Sequence, residues 1–136
     1  MTRPERARST ARSGIAAEAS RELAVLAGRE AIDHKGREVM LLDLRDLTSA
    51  TDWFVLASGE SDVQVRAIAE RIEERLRRDR EVRPWHVEGL QHGRWVLLDY
   101  VDFVVHVFHR EARHYYQLER LWADAPSESI GEVRQS

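Results

Sequence analysis

Three groups of residues in this 136-residue chain have types and spacings that could do chemistry. The first is Gly59-Glu60-Ser61, which lies between an apolar run and a helical pattern. A Gly–Ser turn at a helix N-terminus can hold phosphate through free backbone N–H groups. In nucleotidyl transfer such a turn is followed by two carboxylates spaced two apart on a strand, where they share one face and one metal ion. The candidate pairs here, Asp43 with Asp46 and Asp99 with Asp102, are three apart, and neither meets that geometry. The second group is His106, His109 and His114. On a strand, His106 and His109 point to opposite faces, and His109 and His114 straddle a strand–helix junction without an obvious third ligand. The chain has no cysteine, which excludes disulfides, thiolate catalysis and iron–sulfur clusters. P-loop, dinucleotide-binding and nucleophile-elbow motifs are absent too. The expectation is no catalytic residue, no metal and no cofactor.

The third group is a surface. Trp95–Asp99 and Phe103–His109 read as two strands of a hairpin. With a two-residue turn at Tyr100–Val101, Trp95 stands opposite His106, and Leu97 opposite Val104. One face then carries Trp95, Leu97, Val104, His106 and Phe108, with Asp99 and Asp102 at its end. The other carries Val96, Leu98, Phe103, Val105 and Val107, which is purely apolar and belongs in the core. A face mixing Trp, His and aliphatics with marginal carboxylates reads as a protein interface. The competing reading has the last helix cover it and make Trp95 and His106 core.

The elements that must position these residues follow from periodicity. Ile15–His34 is helical, with Ile15, Ala19, Leu23, Leu26, Ala27 and Ala31 near one face and Gly36 as its stop. Val39–Leu44 and Trp53–Ala57 are short apolar runs, hence strands. Ser61 caps a second helix, with Gln64 at capping-box spacing and Val65, Ile68, Ala69, Ile72 and Leu76 at helical intervals. Trp85–Glu88 is a third strand, and Ala112–Trp122 a closing helix with Tyr115, Leu118 and Trp122 on one stripe and Tyr116 off it. The order α-β-β-α-β-β-β-α implies an α/β (α+β) fold, a mixed five-stranded sheet packed with helices. One domain, 14–123, is flanked by a basic tail, 1–13, and a flexible C-terminal tail, 124–136. Residues 1–13 hold four arginines against one glutamate, whereas the whole chain has a net charge of −3. That balance argues against a nucleic-acid coat. No apolar run approaches a membrane span and the N-terminus has no signal-peptide core, so the expected place is the cytoplasm. The alternative is the mitochondrial matrix, should residues 1–13 be a transit peptide.

Two stretches, DLRDLTSATDWFVLASGESDVQVRAIAE and VEGLQHGRWVLLDYVDFVVHVFHREARHYYQLERLW, closely resemble the ribosomal silencing factor (RsfS, Iojap-like) family. The matching motifs are Asp52-Trp53-Phe54, the Gly59-Glu60-Ser61 turn, Ala67-Ile68-Ala69, Glu88-Gly89, Trp95, Asp99, Val105-His106-Val107-Phe108, and the helix from Arg113 to Trp122. They agree in order and spacing over roughly Ile15–Trp122. There are three departures: Ala57-Ser58 replaces a Cys-Thr pair, Gln64 a histidine, and Val101 a hairpin glycine. The resemblance implies a nucleotidyltransferase-like topology without the metal carboxylates. It also implies a non-catalytic factor that binds ribosomal protein number fourteen of the large subunit, any contact with ribosomal RNA being secondary. So bound, it would sterically keep the small subunit away and repress translation when nutrients are scarce, with a further role late in large-subunit assembly. A homodimer is implied in the free state. On this reading Trp95 is an apolar anchor, with Phe108 and Tyr116 on the same surface. Asp99, Asp102 and Glu119 face a basic partner, and His106 adds a polar contact.

Deleting residues 1–13 is expected to leave large-subunit binding nearly intact in a pelleting assay. Abolished binding would instead make the arginine tail an RNA-binding arm.

Overall fold

The computed structural model describes residues 14–116, 120 and 122–131. Among the described residues, three helices and six strands follow in the order α1 (Gly14–Asp33), β1 (Arg37–Asp43), β2 (Trp53–Gly59), α2 (Asp62–Arg80), β3 (His86–Glu88), β4 (Trp95–Asp99), β5 (Phe103–His109), α3 (Arg110–Tyr116) and β6 (Ser127–Ser129). The sheet order is β3-β4-β5-β2-β1-β6. Only the β2–β5 pair is parallel; the other four are antiparallel. The expected mixed sheet is present, with one strand more than the five read from sequence.

That sixth strand lies in the stretch expected to be a flexible tail. Ser127, Glu128 and Ser129 pair with β1, and Ile130 beyond them is 5% exposed in the main core. Arg21 on α1 pairs with Glu128. Main-chain pairing and one buried isoleucine thus order a segment whose own polarity gave no sign of a strand.

The main core lies between the sheet and the two long helices. Val65, Ile68, Ala69, Ile72 and Leu76 on α2 are fully buried, as the helical spacing required. Ser61 Oγ accepts the Gln64 N–H at 3.1 Å, the capping bond expected there. On α1 the fully buried line is Ser20, Ala24, Ala27 and Ala31; the expected Ala27 and Ala31 lie in it, Leu23 and Leu26 pack beside the core, and Ala19 is exposed. Small residues win these positions because the helix approaches closely: a Cβ on Gly28 would lie 2.5 Å from Ile130. α1 ends in a Schellman motif, with Gly36 N–H bonded to Ala31 O at 2.7 Å and Lys35 N–H to Ile32 O at 2.9 Å. Lys35, not Gly36, takes the left-handed position at φ 70°. Gly36 is needed for space, since a Cβ there would meet the Ala31 carbonyl at 2.8 Å.

The β4–β5 hairpin departs from its expected register. Trp95 faces Phe108, Leu97 faces His106 and Asp99 faces Val104. The turn is Val101–Asp102, closed by the Tyr100 N–H to Phe103 O bond at 2.9 Å. A shift of two residues leaves every side chain on its expected face. Val96, Leu98, Phe103, Val105 and Val107 accordingly fill the main core. Within the turn, Asp102 N–H bonds Tyr100 O at 2.8 Å across Val101, whose φ is 74°. This is the strained, positive-φ form of the γ-turn, and a β-branched residue suits it poorly. Asp99 Oδ1 holds it by accepting the Val101 N–H at 2.8 Å.

V101G is expected to unfold at a higher temperature than V101A, the pair differing by about 1 kcal/mol because only glycine relieves a positive φ. Equal melting temperatures would show that the turn stores no strain.

Candidate protein-docking site

The second face of the sheet holds a smaller apolar cluster. Leu42, Leu44, Leu56 and Phe108 are buried there under Ala112 of α3 and Ala125, with Met40, Phe54, Trp95 and Trp122 at its margin. The rings form a connected group. Phe54 meets His106 edge-on at 4.5 Å and Trp122 at 5.8 Å. Trp95 lies 4.9 Å from Phe108, and His106 stacks near Phe108 at 6.0 Å. Such edge-on and offset pairs each add about 0.5–1.5 kcal/mol beyond area burial. Trp95 also forms one wall of an open cleft of about 780 Å³ that runs from Glu88 and His92 across Leu97 to Glu111 and Ala112.

The seven expected contact residues divide three ways. Trp95 and Asp102 keep partly exposed surface. Asp99, His106 and Phe108 are 6%, 4% and 0% exposed, so they offer a partner almost nothing directly. Phe108 is sealed by the residues of the second cluster, and the Asp99 carboxylate serves the turn. The Tyr116 side chain and Glu119 lie outside the described residues. This face is thus core at β5 and partly exposed at β4. Sequence reasoning did not place Glu88, His92 and Glu111 in one cleft, because the β3–β4 stretch and the start of α3 meet only in the fold.

His106 is the least expected of these groups. Trp95 Nε1–H donates to its Nδ1 at 3.1 Å. The ring's hydrogen then sits on Nε2, which has no partner among the described residues. An orphaned buried donor costs about 1–3 kcal/mol. Burial also pushes the imidazole down to about 3, so the ring is neutral near pH 7.

At the Gly59-Glu60-Ser61 turn, two of the backbone donors that a phosphate would need are already bonded within the helix cap. Glu60 N–H gives its hydrogen to Gln64 Oε1 at 2.6 Å, and the Gln64 N–H goes to Ser61. Glu60 pairs with Arg110 at 3.2 Å, which sets a carboxylate beside the turn. Asp43 is held by Arg45 at 2.7 Å, which keeps its carboxyl below the usual range. Among the described residues, no three His, Asp or Glu side chains are placed to hold a metal ion. Buried Arg113 instead braces the frame, donating to Glu38 O and Ser58 Oγ, each at 2.8 Å. No helix among the described residues is long and apolar enough to cross a membrane.

Comparison with known proteins gives one answer. Residues 17–136 match the family described as ribosomal silencing factor during starvation. The chain is 38% identical over 108 residues to ribosomal silencing factor RsfS of Halalkalibacterium halodurans, covering 79% of this chain and 92% of that one. It is 40% identical over 94 residues to RsfS of Bacillus subtilis, covering 69% and 79%. The crystal structure of a Chromobacterium violaceum protein superposes with a TM-score of 0.73 at 34% identity, covering 83% of this chain and 92% of that one.

The buried His106 gives the fold a defined acid response. Its folded pKa lies below the unfolded value near 6.5, so the unfolded chain binds the extra proton between about pH 6.5 and 3. Stability contributed by the neutral ring is fully present above that window and is lost as pH falls through it. Urea unfolding at pH 7 and pH 5 is expected to lose about 2 kcal/mol more for the wild type than for H106F. Equal losses would place the titration elsewhere.

Proposed function

The chain belongs to the ribosomal silencing factor family, and we propose that it binds the large ribosomal subunit and blocks joining of the small one. The family match over residues 17–136 carries this reading. The surface around Trp95 supports it. A partly exposed indole beside an open cleft has the make-up of an interface anchor, an aromatic side chain in a partly desolvated setting. Glu88 and Glu111 in the cleft, against the single arginine Arg94, would favour a basic partner such as ribosomal protein number fourteen, speeding encounter and fixing orientation. A standard interface takes about 800 Å² from each partner, about a tenth of the 7873 Å² that this chain exposes. Steric exclusion needs no reaction centre, so the protein acts as a non-catalytic factor in the cytoplasm. Repression of translation follows from the loss of joined ribosomes, and the free chain is a homodimer.

Purified subunits mixed with the protein at fixed magnesium and salt are expected to show a reduced joined peak on sedimentation, with the protein moving with the large subunit. W95A is expected to weaken that binding by more than about 1 kcal/mol while keeping its fold. Undiminished joining without comigration, over a dilution series that separates any dimer, would overturn the reading.

A further inference from the structure

His106 does not touch the surface, yet it is bonded to the one residue of its ring group most suited to touch a partner. It is 4% exposed and lies on β5, a strand buried on both faces. Its ring is gripped by Phe54 at 4.5 Å, edge-on, and lies nearly parallel to Phe108. From that fixed position its Nδ1 accepts the Trp95 Nε1–H at 3.1 Å. Trp95 itself lies on β4 across the ladder from Phe108, so His106 is its diagonal neighbour, within reach of a long side chain.

We propose that His106 is a positioning residue for the docking surface: it sets the orientation of the Trp95 indole before a partner arrives. This rests on the docking reading given above. The geometry supports a positioning role over a packing one. An apolar ring of the same size would fill the space equally well and would remove the orphaned Nε2–H. Keeping histidine there is a local loss, and what it supplies in return is one acceptor aimed at the indole. A preset anchor loses less rotamer freedom on binding than a free one. The residue was expected to contact the partner itself; its burial makes the action indirect.

The test uses the full chain, labelled with ¹⁵N, and purified large subunits. In the wild type the Trp95 indole resonance, assigned by its loss in W95F, is expected to be shifted by its bond and to exchange slowly with water. H106F is expected to move that resonance and speed its exchange, leave thermal stability unchanged or higher, and weaken large-subunit binding at least fivefold. H106N, whose Oδ1 can stand near the place of Nδ1, is expected to restore both resonance and binding. In W95F, where no indole hydrogen remains, adding H106F is expected to weaken binding no further. An unmoved resonance, or H106F binding like wild type while W95A binds weakly, would overturn the positioning role alone. Wild-type binding by both W95A and H106F would overturn the docking reading and this role with it. Should H106F fail to fold, H106L gives the same contrast with H106N.

Discussion

The parallel pairing of β2 with β5 is the constraint from which the rest of the molecule follows. Seven residue pairs join them, from Trp53 and Phe103 to Gly59 and His109. Parallel neighbours cannot be linked by a tight turn, so the chain must leave the sheet between them. It does so through α2 and returns by β3 and β4 on the far side of β5. Two parallel strands in mid-sheet also need cover on both faces. The long helices supply one cover. The other is made by α3, Trp122 and Ala125, and it closes over Phe108 on β5. On β4, the next strand out, Trp95 and Leu97 are incompletely covered. The partly exposed tryptophan is therefore a consequence of topology: the lid fits the central strands and ends before the edge.

Much of this was legible in the sequence, for reasons that separate by range. The buried stripe and cap of α2 are local, since they need only a 3.6-residue period and a Ser–Gln spacing. The faces of the hairpin were legible because they depend on parity, which an even register shift preserves. Its register was not, because it turns on Val101 accepting a positive φ that its branched side chain disfavours. β6 was invisible because Ser-Glu-Ser carries no alternation of its own, and only β1 and the pocket for Ile130 make it a strand. The face of α1 was read correctly at Ala27 and Ala31, with Leu23 and Leu26 packed beside the core, but not at Ala19, because the closest approach falls to Ser20 and Ala24.

The candidate site shows the same division. Trp95 could be picked out by type, and its face by alternation. The part that His106 plays could not, because it arises from a diagonal relation that only the true register creates. In the expected register the two would have stood directly opposite. The orphaned nitrogen of His106 is also a breach of the rule that buried polar groups find partners. Breaches of that kind cluster where a residue answers to something other than stability. The Gly59-Glu60-Ser61 turn teaches the reverse lesson. Its motif allowed an anion site, but the Glu60 N–H goes to Gln64 and the Glu60 carboxylate to Arg110, so the same residues serve as a helix cap.

The two outermost strands, β3 and β6, are each three residues long. A sheet edge is a template on which a foreign strand can grow, and its length sets how far growth can go. Here either edge offers a newcomer only a few ladder bonds, and both carry a glutamate at the exposed row, Glu88 or Glu128. Long, hydrophobic β1, β2 and β5 are thus hidden from one another's copies on neighbouring molecules. Short, charged edges of this kind disfavour growth of the sheet from one molecule to the next and leave the side chains of its faces as the better ground for telling partners apart.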